Sequence, residues 1–456
     1  MIIVMEFLLG IMYTIFLSAT LSKENGLVKI NACNVLKLAF IGTYGFLFPI
    51  CSLLTAFNFN TLSMQSYIKQ FDFYEVIFYY LCISLVSIAF FGTLKHKESN
   101  LNIIETNSTS NDNDIDDKYA FAIAFGMLIV GAVADYLYIR VYGSYSNYMN
   151  YSGAIRSGVI SVHNPFSFLI VFRSCLSFSS FLFLAQIKIN NKTKFLNLVL
   201  FIISCFLSLR VLYSNRGRLG FVIYFAVIFA YILSKRSKGT EFSFSIKTIW
   251  KAIMILLLFV LALYLSGEIL KRNVSENIIT QINKEISFIY SDFIILIKNN
   301  DNTINRWFKD ALLFPIYLLP TSIWRTRFGI TTASSDLTLL ASGFRKGEGG
   351  QYGEMPIDFI SLSYMQLGLI GILVIPIVYA ILFAMAYKRA SRIQDKNIRS
   401  VVYIYIILYI GLETIFYADP QHIIYRIFAL VVFFIIDAIV SKIRLNKGEN
   451  VRNAKE

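Results

Sequence analysis

The chain predicts an all-α polytopic membrane protein of about eleven transmembrane helices with one large external loop. Three observations predict it. Of 456 residues, 56% are hydrophobic and only 15% charged, with 41 Phe and 28 Tyr, more apolar surface than a soluble core hides and more than a disordered chain carries. The apolar residues fall in repeated runs of about 20, the length that crosses about 30 Å of hydrocarbon. Finally, Lys and Arg concentrate in alternate connections.

In order, the apolar runs are 2–21, 35–54, 76–94, 120–139, 166–187, 195–213, 219–233, 249–265, 360–383, 401–417 and 423–439. The first lacks a basic leader and a small-residue cleavage site, so it reads as a span. Connections after the odd-numbered runs, and the tail SKIRLNKGENVRNAKE, hold two to five Lys or Arg each; the short connections on the other side hold none to two. The positive-inside rule then puts the tail in the cytoplasm and the N-terminus outside. The net charge of +14 is mostly a topology signal, and no nucleic-acid partner is expected.

The chain divides accordingly into residues 1–94 with three spans, an Asn- and Asp-rich segment 95–118 expected to be a disordered cytoplasmic linker, residues 119–266 with spans four to eight, the external segment 267–359, residues 360–441 with the last three spans, and the basic tail 442–456. The external segment carries INKEISFIYSDFIILIKN and WFKDALLFPIYLLP, then the glycine-rich ASGFRKGEGGQYGEMP. Its apolar content should fold it onto the membrane face or the helix bundle.

Three His and five Cys are dispersed, without CxxC or HExxH, so no metal site and no cofactor are expected. Cys33, Cys51, Cys82, Cys175 and Cys205 read as small hydrophobes.

An ionisable group inside a span is expensive and therefore a functional candidate. Asp135, Arg173, Arg210, Glu413, Arg426 and Asp437 qualify. Arg210, Arg216 and Arg218 lie within nine residues around the external turn YSNRGRLG, against the charge rule. Something negative must compensate: an acidic headgroup, a protein carboxylate, or a bound phosphate or pyrophosphate, for which arginine offers planar, permanently charged donors and Gly217 a close backbone approach. In WRTRFG, Arg325 and Arg327 would point the same way along an extended chain, as a basic patch or as further anion ligands. Glu354 and Asp358 flank Pro356 at the start of the ninth span, where a carboxylate can cap the helix or act as a general base. In LETIFYADPQHIIYRIF, His422 and Arg426 share a helix face, and Glu413 with Arg426 could form a structural ion pair. These groups gather on the outer side, which favours an external or lateral cleft for an anionic amphiphile, with membrane lipids around it.

From SNRGRLG through an apolar span and a long external loop to EMPIDFISLSYMQLGLIG, about Ser214 to the tail, the chain resembles the O-antigen polymerase (Wzy) or oligosaccharide repeat-unit polymerase family. The resemblance implies a GT-C-like glycosyltransferase of the bacterial inner membrane that moves a growing glycan from undecaprenyl pyrophosphate to the non-reducing sugar of another lipid-linked repeat unit, facing the periplasm. A chain-length regulator protein is an implied partner. By similarity, Arg216 or Arg218 matches the arginine of the external turn, and Gly368 and Gly371 match the segment where the loop returns to the membrane. An activated pyrophosphate leaving group needs charge neutralisation and a base, without metal. The candidates are Arg173, Arg210, Arg216, Arg218, Arg325, Arg327 and Arg426 for pyrophosphate, and Glu354 ahead of Asp358 and His422 for catalysis.

O-antigen ligase is the second reading. Ligases carry a His shortly before the loop returns, and no His lies between His163 and His422. A lipid-linked oligosaccharide flippase or other transporter is the alternative of another class; it calls for internal repeats, and no convincing inverted repeat is present.

Overall fold

The computed structural model describes residues 1–24, 27–28, 31–59, 71–98, 113–157, 160, 164–187, 193–215, 218–236, 279–280, 283, 286–299, 305–319, 322–351, 353–393 and 395–453. Lipid offers no water to a bare backbone group, so each long apolar run closes its own hydrogen bonds as a helix. In chain order these are α1 (Ile2–Ala19), α2 (Ala32–Ala56), α3 (Phe73–Glu98) and α4 (Asn113–Arg140). A polar helix α5 (Tyr145–Ser157) follows, then α6 (Ser174–Gln186), α7 (Lys194–Asn215) and α8 (Arg218–Arg236). The long connection contributes α9 (Phe288–Lys298) and α10 (Ala333–Ser342), and the chain ends in α11 (Phe359–Ser391), α12 (Lys396–Phe416) and α13 (Pro420–Asn453).

Among the described residues nine helices are long and apolar enough to cross a membrane, which makes the chain an all-α, multi-pass membrane protein. The seventh expected run falls in α8, whose apolar part Leu219–Ser234 is shorter; the eighth, 249–265, lies outside the described residues. The only strand pairing among the described residues is the small ladder Lys23↔Val28 between α1 and α2. Both described ends of the expected linker are helical, because α3 runs on to Glu98 and α4 begins at Asn113; residues 99–112 lie outside the described residues.

Helices in lipid associate through close van der Waals contact, which favours small residues where they cross. A methyl group on Gly10 of α1 would come 2.4 Å from the Gly45 carbonyl oxygen, inside the π-helical stretch Ile41–Leu47 of α2. Elsewhere α11 runs along α3, and α6 packs between α4 and α7.

The long connection enters this bundle. From Ile289 to Leu296, α9 is wholly buried against α3, α10 and α11, with the Tyr290 ring 4.8 Å from Phe48 and Phe293 4.7 Å from Tyr79. Its eleven residues rise about 16 Å, half the thickness of a bilayer core. Asn283 ties its approach to the end of α2 through Thr55 Oγ1 (3.0 Å) and the Phe59 carbonyl (2.9 Å). The expectation that this segment folds onto the bundle thus holds for α9.

One further break positions the site. At Leu367 and Gly368 α11 leaves helical geometry, with Gly368 at φ 56°, which glycine tolerates without a Cβ penalty. The carbonyls freed at Met365 and Gln366 accept hydrogen bonds from the amides of Arg306 (3.0 Å) and Trp307 (2.8 Å). The connection is therefore stitched to the break in α11.

Candidate functional site

All but Asp437 of the predicted ionisable residues that the structure describes lie at the end of the bundle where α6, α8, α11 and α13 begin and α4, α7 and α12 finish. Arg173 precedes α6 as its N-cap, a place where the helix dipole disfavours a cation. Its compensation is Asp135 of α4. Arg173 Nε donates to Asp135 Oδ1 at 2.9 Å, and the rest of the guanidinium bonds Ser214 Oγ (2.9 Å) and Tyr148 Oη (3.3 Å), both from neighbouring helices. The other Asp135 oxygen accepts from Arg210 of α7. Aromatic rings complete the surroundings: Tyr138 lies 4.8 Å from Arg173 and Tyr145 5.1 Å from Arg210. The negative partner these arginines demand is thus a protein carboxylate. Two arginines nevertheless share one carboxylate, and Arg210 Nε is buried without a hydrogen-bond partner among the described residues.

A second group stands beside it. Arg156, in the last turn of α5, donates to the Asn215 carbonyl at 3.2 Å and so reaches the turn that contains Arg216. Arg216 and Gly217 lie outside the described residues; Arg218 is the first residue of α8. Lys346 of the glycine-rich segment lies within electrostatic reach of Arg156, Arg325 and Glu354. Burial chiefly pushes its ammonium below the ordinary lysine range; Glu354 opposes the shift, and the two arginines add to it. Arg325 holds Glu354 at 3.1 Å and donates to Ser335 Oγ at 3.4 Å.

The expected common direction of Arg325 and Arg327 is corrected here. Ser322–Arg327 forms a π-helical turn, in which residues two apart face opposite ways, so Arg325 turns inward to Glu354 while Arg327 stays exposed.

From α13 come His422 and Arg426. Arg426 pairs with Glu413 at 2.7 Å and donates to the Tyr417 carbonyl at 3.2 Å, the ion pair foreseen between α12 and α13. His422 keeps an accessible surface, with Arg426, Lys346 and Arg156 all in electrostatic reach. Among the described residues Arg173 and Arg210 share Asp135, Arg325 pairs with Glu354 and Arg426 with Glu413; Asp419, buried at the same end, accepts from the amides of Ser334 (3.0 Å) and Gln421 (2.9 Å).

Asp358 is placed differently. It is fully buried and caps α11, accepting from the amides of Ile360 (3.1 Å) and Ser361 (3.0 Å) and from Tyr44 Oη (3.1 Å). Its own amide donates to Asp292 Oδ2 of α9 at 3.3 Å. Asp437 pairs with Arg389 at 3.6 Å, and both belong to the opposite end of the helices.

Sequence reasoning missed one network entirely. Arg306 grips Asp310 with two bonds (2.5 and 2.7 Å), reaches Asp336, and donates to the Thr331 carbonyl at 2.7 Å. Gln366, from the break in α11, and Tyr317 donate to Asp310 at 2.8 and 3.0 Å. The one available signal was the i,i+4 spacing of Arg306 and Asp310 in an apolar stretch.

Among the described residues no group of three or more His, Cys, Asp or Glu could hold a metal ion. No family model, curated protein or solved structure matches the chain.

Proposed function

We propose that the chain is a GT-C-like glycosyltransferase of the repeat-unit polymerase type, acting on undecaprenyl-pyrophosphate-linked oligosaccharides at the periplasmic face of a bacterial inner membrane. One observation carries the reading. Arg156, Arg173, Arg210, Arg325, Lys346 and Arg426, from segments scattered over more than half the chain, share one end of the bundle with a carboxylate, Glu354, that is only partly buried. Guanidiniums gathered in this way suit a pyrophosphate, and a rim carboxylate suits a hydroxyl proton.

In this reading the acceptor sugar's hydroxyl oxygen attacks the anomeric carbon of the donor glycan. Its proton passes to Glu354, and the bond from that carbon to the pyrophosphate oxygen breaks. Lipid pyrophosphate leaves with the electron pair, against Arg210 and the Arg216–Arg218 turn. Arg173 holds Asp135 and, through it, the orientation of Arg210. Arg325 positions Glu354. Arginines supply the charge neutralisation, so turnover in chelator should match turnover without it.

The test is polymer synthesis in cells. Arg216→Ala and Arg218→Ala should abolish the long glycan while leaving the protein in the membrane, and Lys should restore little because it lacks the fork. Wild-type polymer from the double variant would overturn the reading, as would cysteine labelling that placed residues 322–351 on the same side as the tail.

A further inference from the structure

Beside the break in α11 lies an open hollow of about 510 Å³ that the pyrophosphate chemistry leaves unused. Asn305, Trp307, Lys309, Leu312 and Asp336 line it, with Arg306 as its floor. Its electrostatics differ from those of the arginine end. Arg306 is met by Asp336 at the rim and by Asp310 bonded behind it, and Asp336 also meets Arg345 at 3.6 Å, so the guanidiniums here are each paired with a carboxylate. What the walls offer is hydrogen bonding: a carboxylate, an amide and an ammonium around an indole that is 69% exposed. A flat aromatic face flanked by such groups is what a sugar ring requires, its C–H face stacking on the ring while its hydroxyls reach the polar edges.

A second observation singles out the indole. Trp307 and Phe308 hold consecutive left-handed conformations, φ 50° and 57°, sparsely populated by bulky residues and tolerated where the surroundings enforce them. The enforcing contacts are present: the Trp307 amide is bonded to the Gln366 carbonyl, and Arg306 is locked on both its backbone and its guanidinium. The strained backbone turns the largest apolar side chain of the segment outward over the hollow.

We propose that this hollow is a binding subsite for a neutral pyranose ring, with Trp307 as its stacking platform. The inference rests on the saccharide-transfer reading for its biological sense, and it is testable without turnover.

The probes are the methyl glycosides of glucose, galactose, mannose, rhamnose and N-acetylglucosamine, added at millimolar concentration to the purified chain in a detergent without a sugar headgroup. Saturation-transfer NMR should show saturable contact to one ring face for at least one of them. Trp307→Asn removes the indole, and Asn tolerates the left-handed backbone; the signal should vanish there and survive in Trp307→Phe. Asp336→Asn should weaken it by about tenfold, since the amide keeps the shape and loses the charged acceptor.

No saturable signal from any glycoside, or an undiminished one in Trp307→Asn, would overturn the proposal. Displacement by glycerol phosphate, without any glycoside preference, would assign the hollow to anionic lipid headgroups instead. Absent glycoside binding alongside intact arginine phenotypes sinks the subsite alone. Indole-dependent glycoside binding in a chain whose Arg216 and Arg218 substitutions leave polymer unchanged upholds the subsite and sinks the polymerase reading.

Discussion

Two arginine networks, built from the same chemistry, differ in charge balance. At Asp135 two guanidiniums share one carboxylate, Arg210 Nε has no hydrogen-bond partner among the described residues, and tyrosine rings fill the remaining space. At Arg306 two carboxylates, Asp310 and Asp336, are met by Arg306 and, at Asp336, by Arg345 as well, with a backbone carbonyl, a glutamine and a tyrosine completing the network. A buried arginine therefore says little until its partners are counted. A closed network fixes structure, whereas two arginines on one carboxylate are what the proposed pyrophosphate site calls for.

The largest expected effect breaks the closed network. Arg306→Ala leaves Asp310 without its cation and Asp336 with Arg345 alone, and unpairing a buried carboxylate costs about 3–5 kcal/mol. It should remove most of the folded protein from the membrane, with Arg306→Lys little better, since the fork is lost. Quantitative blotting and thermal unfolding in detergent check this. A fully folded Arg306→Ala chain would place the network on the functional side of the comparison.

Next in size is Glu354→Gln. The amide can still face Arg325 but accepts no proton, so turnover of lipid-linked substrate should fall by about 10² while the fold persists. Unchanged turnover rejects Glu354 as base. The same assay on His422→Ala and Asp358→Asn then shows whether either carries the role.

A smaller effect sharpens the open network. Arg210→Lys keeps a charge opposite Asp135 but loses the planar donors, and Arg173 alone continues to neutralise that carboxylate. Polymer yield should drop by about tenfold at unchanged protein level. An equal loss of protein and polymer would show that Arg210 is as structural as Arg306.

The two networks also differ in how far they could be read beforehand. Asp135, Arg173 and Arg210 interrupt apolar runs, where a charge is conspicuous because lipid makes it expensive. Arg306, Asp310 and Asp336 sit in a mixed, loop-like stretch where charge is ordinary. Their closure depends on Gln366, 60 residues from Arg306, and on a break in α11 that Gly368 permits without announcing. The apolar character of 288–298 was legible; its burial inside the bundle was not, because periodicity cannot tell a surface helix from an inserted one. Arg325 and Arg327 were misplaced because an extended backbone was assumed where the chain makes a π-turn. The nine long helices needed only length and composition.

A third arrangement, carboxylates with no arginine, supplies the control. Asp292 and Asp358 are both fully buried and linked through the Asp358 amide, and among the described residues Asp292 Oδ1 has no hydrogen-bond partner and no cation pairs with either. Without a cation, burial must favour the neutral form. It pushes the Asp358 carboxyl up to about 6, against the cap bonds that favour ionisation, and with the nearby Asp358 charge it raises Asp292 well above the usual carboxylate range. The folded state then binds protons more tightly than the unfolded chain. The resulting stability is fully present below about pH 4 and is lost as pH rises through about 6. Asp358→Asn is neutral throughout and remains a good helix cap, so it should abolish the Asp358 share of this dependence while keeping the start of α11. In thermal unfolding between about pH 4 and pH 8, the wild type should lose melting temperature relative to the variant as pH rises. Parallel curves would mean that the folded state holds the Asp358 proton no more tightly than the unfolded chain does in that range.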